Sequence, residues 1–157
     1  MTDPSGTPSL GRSLKLEAGD LVFDPDTADL AVVEDLQALR QALVLSIETQ
    51  LGSDPINAGF GFDRVAVSAY ANGIHARKEY VKLQVVRCVS ADRRVSDVRE
   101  VFFQDDPRFF ELQPGLGEQA QNQIVATARA SRDYTLYVIV ETIASNTLTL
   151  PVGGTLG

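Results

Sequence analysis

The chain has 157 residues, 44% hydrophobic and 22% charged, which suits one domain with a real core and is ordinary for a globular protein. The formal net charge is -7 and the pI near 4.6. With Arg87 to Arg99, the most basic patch, broken by acids, this balance excludes a phosphate-binding surface for nucleic acid.

The single cysteine, Cys88, forbids an internal disulfide and supports no thiolate metal site. Lying among Val85, Val86 and Val89, it reads as a small buried apolar residue. No segment approaches the roughly 20 apolar residues that span a bilayer, and the start of the chain lacks the basic and apolar regions of a signal peptide. The expectation is a cytoplasmic protein with no direct membrane insertion.

In chain order, residues 1–12 are rich in Pro, Ser, Gly and Thr without periodicity and are expected to form a flexible arm. Residues 13–151 are then one domain, and residues 152–157 a flexible tail. Two apolar runs, 20–23 and 30–33, flank a Pro- and Asp-rich turn and predict a hairpin. Asp24, Asp26 and Asp29 brush against calcium-loop spacing, but the turn glycine and closing Glu are missing, and turn chemistry accounts for them.

Leu36, Leu39, Leu43, Ile47 and Leu51 fall three or four apart and predict an amphipathic helix, with acids in its first turn and Gly52 as a left-handed cap. A loop follows through Pro55, Gly59, Phe60, Gly61 and Phe62, whose two rings are expected to plug into neighbouring apolar surface. It lacks the Lys of a phosphate-cradling loop. A short helix is expected over 65–72, with Gly73 as its stop. A second long helix is expected over 76–91, carrying a stripe of Val81, Val85, Cys88 and Val89 and a second apolar flank of Leu83 and Val86.

The last third reads as β: strands over 95–103, 123–130 and 134–143, and a fourth over 147–150 ending at Pro151. The 134–143 run is apolar on both faces, so it is either central in a covered sheet or meets a partner. Residues 104–122 are expected to be a long loop. The fold class is α+β: two long helices and a short one on a small, mostly antiparallel C-terminal sheet, with an N-terminal hairpin.

Catalysis has little to build on. His75 is the only histidine, without a second ligand nearby or a strained serine elbow, and reads as a helix-start or surface residue. Asp105 with Asp106, or Asp92 with Asp97, are conceivable carboxylate pairs that read as solvated turns.

The order hairpin, helix, Gly- and Pro-containing loop, second helix and β-rich end resembles the sheath-initiator, or baseplate-wedge, family of contractile phage tails and related contractile injection systems. Three places carry the likeness. Residues 20–24 and 28–36 with Gln41, Ala42 and Leu43 are similar to the opening hairpin and Gln-containing helix. The signature loop is matched by Gly52, Pro55, Gly59, Phe60 and Gly61. Asp92, Arg93, Arg94 and Val95 stand where the family has Glu-Pro-Arg, with Asp for Glu and Arg93 for Pro; a charge pair carries over, a proline turn does not.

The resemblance implies a structural protein, not an enzyme, without cofactor or metal. Its partners would be the contractile sheath protein and the wedge, spike or hub and inner tube proteins, in six copies per particle, within a phage tail or tail-like particle. It would offer a sheet edge to sheath arms by β-augmentation. The expected contact strand carries Tyr134, Leu136, Val138, Val140 and Thr142; Asp92 and Arg94 form the charge motif. The alternatives are a free-standing interaction adaptor and a small hydrolase.

Overall fold

A computed structural model describes residues 6, 8–70, 73–131 and 133–155. The chain is α+β. Three antiparallel strands, β7 (Val95–Phe103), β8 (Asp133–Thr142) and β9 (Thr147–Thr155), form the C-terminal sheet in the order β7-β8-β9. Alternation along β8 turns Tyr134, Leu136, Val138, Val140 and Thr142 into the core, joined from β9 by Leu148 and Leu150 and from β7 by Phe103.

Helices cover that face. α1 (Asp35–Glu48) contributes Leu39, Leu43 and Ile47, and α3 (Ile74–Ser90) contributes Val81, Val85, Cys88 and Val89, the stripe its spacing predicts. The other face of the sheet is capped by rings: Tyr137 stacks on Phe102 at 5.7 Å, and Phe109 of α4 (Pro107–Glu111) lies 5.2 Å from Tyr137.

The N-terminal element is more than a hairpin. Six short strands, β1 (Arg12–Leu14), β2 (Leu16–Glu17), β3 (Asp20–Leu21), β4 (Phe23–Asp24), β5 (Asp29–Leu30) and β6 (Val32–Glu34), pair as β1-β6, β2-β3 and β4-β5. The three ribbons meet where Lys15 N–H donates to Ala31 O (2.8 Å), Ala31 N–H to Val22 O (2.8 Å) and Val22 N–H to Lys15 O (3.2 Å). This cycle satisfies the backbone at a three-way corner. The expected pairing survives at Phe23↔Leu30 and Asp24↔Asp29, but residues 32–34 turn aside to pair with residues 12–14.

Several expectations need correction. Residues 123–130 are helical, within α5 (Glu118–Ser131): Ala120, Ile124 and Ala128 recur every fourth residue among good helix formers, which outweighs the β-branched Ile124, Val125 and Thr127. The supposed 104–122 loop therefore holds α4 and the start of α5. Gly73 is the N-cap of α3, its carbonyl accepting Arg77 N–H at 3.0 Å, rather than the end of α2 (Arg64–Ala69). The last part of the expected 65–72 helix, Ala71 and Asn72, lies outside the described residues. The expected arm ends sooner than residue 12, because Leu10 is 1% exposed and Gly11 O accepts Asp35 N–H at 2.8 Å; residues 1–5 and 7 lie outside the described residues. β9 continues past Pro151 and the expected tail boundary to Thr155, and the tail's residues 156–157 again lie outside the description. Leu83 is 61% exposed, so α3 buries one main face rather than two.

α1 also ends before the expected cap. Phe62 N–H donates to Thr49 O (2.8 Å) and Leu51 N–H to Phe62 O (3.1 Å), which draws the chain out of the helix, and Gly52 (φ 79°) serves the following turn instead. Phe62 plugs into the core as expected, whereas Phe60 stays 41% exposed. The close crossing depends on Gly61, whose φ is 115° and where a Cβ would lie 2.6 Å from Thr49 O. Gly61→Ala should therefore lower stability by about 1–3 kcal/mol or more. Gly59→Ala, with nothing within 4 Å of the added carbon, should leave the urea midpoint almost unchanged. Equal midpoints for the two variants would contradict this account.

Candidate interaction surfaces

The strand expected from sequence to meet a partner cannot do so through its backbone. β8 is central, paired by β7 on one side and β9 on the other, and Tyr134, Leu136, Val138, Val140 and Thr142 all face the core. A strand apolar on both faces gains most from the middle of the sheet. Any open edge belongs to β7 or β9.

The two edges differ. β7 has register irregularities between Val95 and Asp97 and between Val98 and Glu100, and its Arg99 pairs with Glu141 and with Asp97. Bulges and charges of this kind discourage further pairing. β9 runs in unbroken register from Asp133↔Thr155 to Glu141↔Thr147. Its Thr149 carbonyl turns outward, where it accepts Arg40 Nη2 at 3.1 Å. The two-residue period turns the backbone groups of Thr147, Pro151 and Gly153 outward too. Among the described residues no strand pairs with that side. Pro151 is tolerated there because its missing N–H would have faced outward.

A 440 Å³ apolar cavity lies beside the Val152 and Gly153 end of this edge, walled by Phe62, Val85, Phe103 and Leu136. Arg64 and Arg77 also line it, and Arg64 Nη2 donates to Glu48 O at 3.0 Å.

The charge motif is a locked pair. Arg94 donates through Nε to Asp92 Oδ1 (2.9 Å) and through Nη2 to Asp92 Oδ2 (2.6 Å), while Nη1 reaches Leu10 O at 2.9 Å. Its own carbonyl accepts Ile143 N–H at 2.9 Å. One residue thus joins the end of α3, the start of β7, the end of β8 and the N-terminal segment. The Arg94 hydrogen bond holds the Asp92 carboxyl below its ordinary range, against the opposing effect of burial.

The signature loop and the charge motif, far apart in sequence, meet at one groove of 710 Å³, lined by Ala58, Gly59, Phe60 and Gly61 on one side and Asp92 and Arg93 on the other. Gly52 and Pro55 are exposed and outside its lining; Pro55 lies in a turn where Asp54 Oδ1 accepts Ile56 N–H at 2.8 Å. His75 is exposed in the first turn of α3.

Asp105 and Asp106 are not solvated turn residues. Lys78, 8% exposed, binds Asp105 Oδ1 and Oδ2 at 2.6 and 2.5 Å and sits 4.1 Å from the Tyr134 ring centre and 4.9 Å from that of Phe103. Lys82 binds Asp106 at 2.9 Å; burial lowers its pKa, but hydrogen bonds to Asp106 and Glu79 outweigh that and raise it. Neither Lys78 nor Asp105 lines these two cavities, and the cluster clamps the β7 end to α3. Asp92 and Asp97 do not converge either, since Asp97 is held by Arg99 at 3.3 Å. The sequence contained a signal for the buried lysine: Lys78 precedes Val81 and Val85 on the same helical stripe. Arg40 carried no such signal, because its target is an outward carbonyl on a distant strand.

Two measurements test these assignments. A carboxylate with a depressed folded pKa contributes stability above its unfolded value, about 3.9, and loses it as pH falls through the folded pKa. The stability gap between the wild type and Asp92→Asn should therefore be widest near neutrality and shrink in the acid range; a pH-independent gap would refute the pairing. Asp105→Ala should cost about 3–5 kcal/mol in urea unfolding, because it strands a buried ammonium. The double variant Lys78→Met with Asp105→Leu should recover most of that, and no recovery would count against the clamp.

Compared with known proteins, the chain matches no family model and no curated protein.

Proposed function

We propose that this chain is a structural, non-enzymatic baseplate component of a contractile tail or tail-like particle, and that it nucleates the sheath by offering the outer edge of β9 to an extended arm of the sheath protein. One observation carries the reading. β9 is a regular edge strand of 9 residues whose outer ladder meets no other strand among the described residues. Unpaired N–H and C=O groups give an incoming strand its affinity, and alternating side-chain sites give it register.

The neighbouring 440 Å³ cavity supports the same reading, because a strand added beside Val152 turns alternate side chains toward that apolar space. Arg40 on the Thr149 carbonyl acts as a polar stopper that the arm displaces. Pro151 divides the ladder, so the arm bonds on either side of it. The wedge, hub and inner tube proteins are the other partners this setting implies. Further support is the order of elements that the resemblance rests on, together with the intact Asp92 and Arg94 pair.

The test uses prolines that differ only in the direction of the donor they remove. Thr149→Pro or Gly153→Pro deletes an outward N–H and keeps the bonds to β8, so the protein should stay folded while sheath growth on reconstituted baseplates, followed by electron microscopy, is lost. Leu150→Pro deletes an inward donor and should unfold the sheet. Sheaths of normal length on folded Thr149→Pro and Gly153→Pro proteins would remove β9 as the nucleating edge.

A further inference from the structure

The groove between the signature loop and α3 has a character that the sheath reading leaves unused. The chain is acidic overall, yet Arg87 and Arg93 stand exposed on this groove and make no ion pair among the described residues, while the two carboxylates that also line it are engaged within the chain: Arg94 holds Asp92 at 2.6 Å, and Asp63 Oδ1 accepts Ala66 N–H at 2.9 Å. Phe60 forms an apolar rim, and Ala58, Gly59 and Gly61 leave the floor without bulky side chains. The groove therefore suits a narrow segment carrying both an apolar side chain and negative charge.

The same chain carries such a segment elsewhere. Seven acidic residues, Glu17, Asp20, Asp24, Asp26, Asp29, Glu34 and Asp35, fall within residues 17–35, with no Lys or Arg between them. Glu17 and Glu34 are paired with Lys15 and Arg12, whereas Asp20, Asp24, Asp26 and Asp29 make no ion pair among the described residues. At the tip of the β4-β5 ribbon, Phe23 is 60% exposed beside Asp24 and Asp29, and Leu21 and Leu30 are exposed on the neighbouring strands. Gln41 of α1 fixes the ribbons to their own chain, accepting Leu16 N–H at 2.8 Å and donating to Leu14 O at 2.7 Å. No ribbon residue lines the groove of the same molecule.

We infer that the groove at Phe60, Arg87 and Arg93 receives the Phe23 ribbon tip of a second copy of this chain. The two surfaces are different patches of one molecule, so the contact is head-to-tail, the kind that closes into a ring or continues as an open chain of subunits. Phe23 supplies the apolar anchor against Phe60, and Asp24 and Asp26 meet Arg87 and Arg93. The inference is independent of the β9 edge and does not require the sheath reading.

Charge exchange tests it on the full chain. Sedimentation velocity should show concentration-dependent association that weakens as salt rises. Arg87→Glu with Arg93→Glu should weaken it at least tenfold, as should Asp24→Lys with Asp26→Lys, and an equimolar mixture of the two charge-reversed proteins should recover heteromeric association. Circular dichroism checks that each variant is folded. In a Cys88→Ala background, Thr27→Cys on one molecule and Ala58→Cys on another should give a disulfide-linked pair under mild oxidation, while Thr27→Cys alone should give far less. A mass that stays monomeric at every concentration with no cross-link, or association unaffected by the charge reversals, would overturn the inference and give the groove to a different acidic partner.

Discussion

Strand β8 carries large apolar side chains at the centre of both faces, and most of the architecture follows from covering them. Tyr134, Leu136, Val138 and Val140 are buried on one side, and Tyr137 and Ile139 are half-buried on the other. Each large apolar side chain fully removed from water contributes about 1.5–3 kcal/mol, so leaving either side bare would cost more than most single contacts return. α1 and α3 take the first face and the Phe102 and Phe109 rings the second, while β7 and β9 satisfy the backbone. A central β8 displaces any open edge onto its neighbours, so the residues with the strongest strand signal do not lie at an edge.

Among the ionic contacts, burial decides which matter. Arg108 with Glu100 and Arg99 with Glu141 lie at the surface, where exposed pairs contribute about 0–1 kcal/mol each. Lys78 with Asp105 and Arg94 with Asp92 are more sheltered, and each joins elements that the sheet does not hold. Arg94 in particular ties the segment at Leu10 to the junction of α3, β7 and β8. A residue recognised in the sequence as half of a charge motif thus acts as a knot within the chain. The groove beside it keeps Arg87 and Arg93, which the knot does not use.

What was legible in the sequence was whatever depends on local spacing. The apolar periods of α1 and α3 and the β-branched runs of β7 and β8 declared themselves, and β7 begins and ends where its pattern does. α5 reads locally as a strand because Ile124, Val125 and Thr127 favour β, while the recurrence that decides the matter, at Ala120, Ile124 and Ala128, is carried mostly by alanine and is weak. The three-ribbon corner was hidden because it rests on Lys15, Val22 and Ala31 exchanging backbone bonds across distant turns. In the sequence Gly61 is one of several loop glycines; only the crossing with Thr49 shows that it, and not Gly59, is compelled.

The two edges of the sheet deal with the same hazard in opposite ways. An unpaired strand invites indiscriminate pairing, and β7 answers with bulges and charged side chains along its length. β9 keeps a regular ladder, and among the described residues its outer side carries Pro151 and the Arg40 contact on the Thr149 carbonyl. Pro151 is permanent and limits how long an uninterrupted ladder any added strand can form. The Arg40 contact is reversible, since a guanidinium on an exposed carbonyl exchanges readily for an incoming N–H. On the proposed role of β9 as a docking edge, such an edge resists strands of arbitrary sequence and accepts one whose bonding pattern skips the proline and whose apolar side chains reach the cavity beside Val152. Under that proposal, selectivity at this edge lies in register, set jointly by Pro151 and the cavity, rather than in the number of backbone bonds offered.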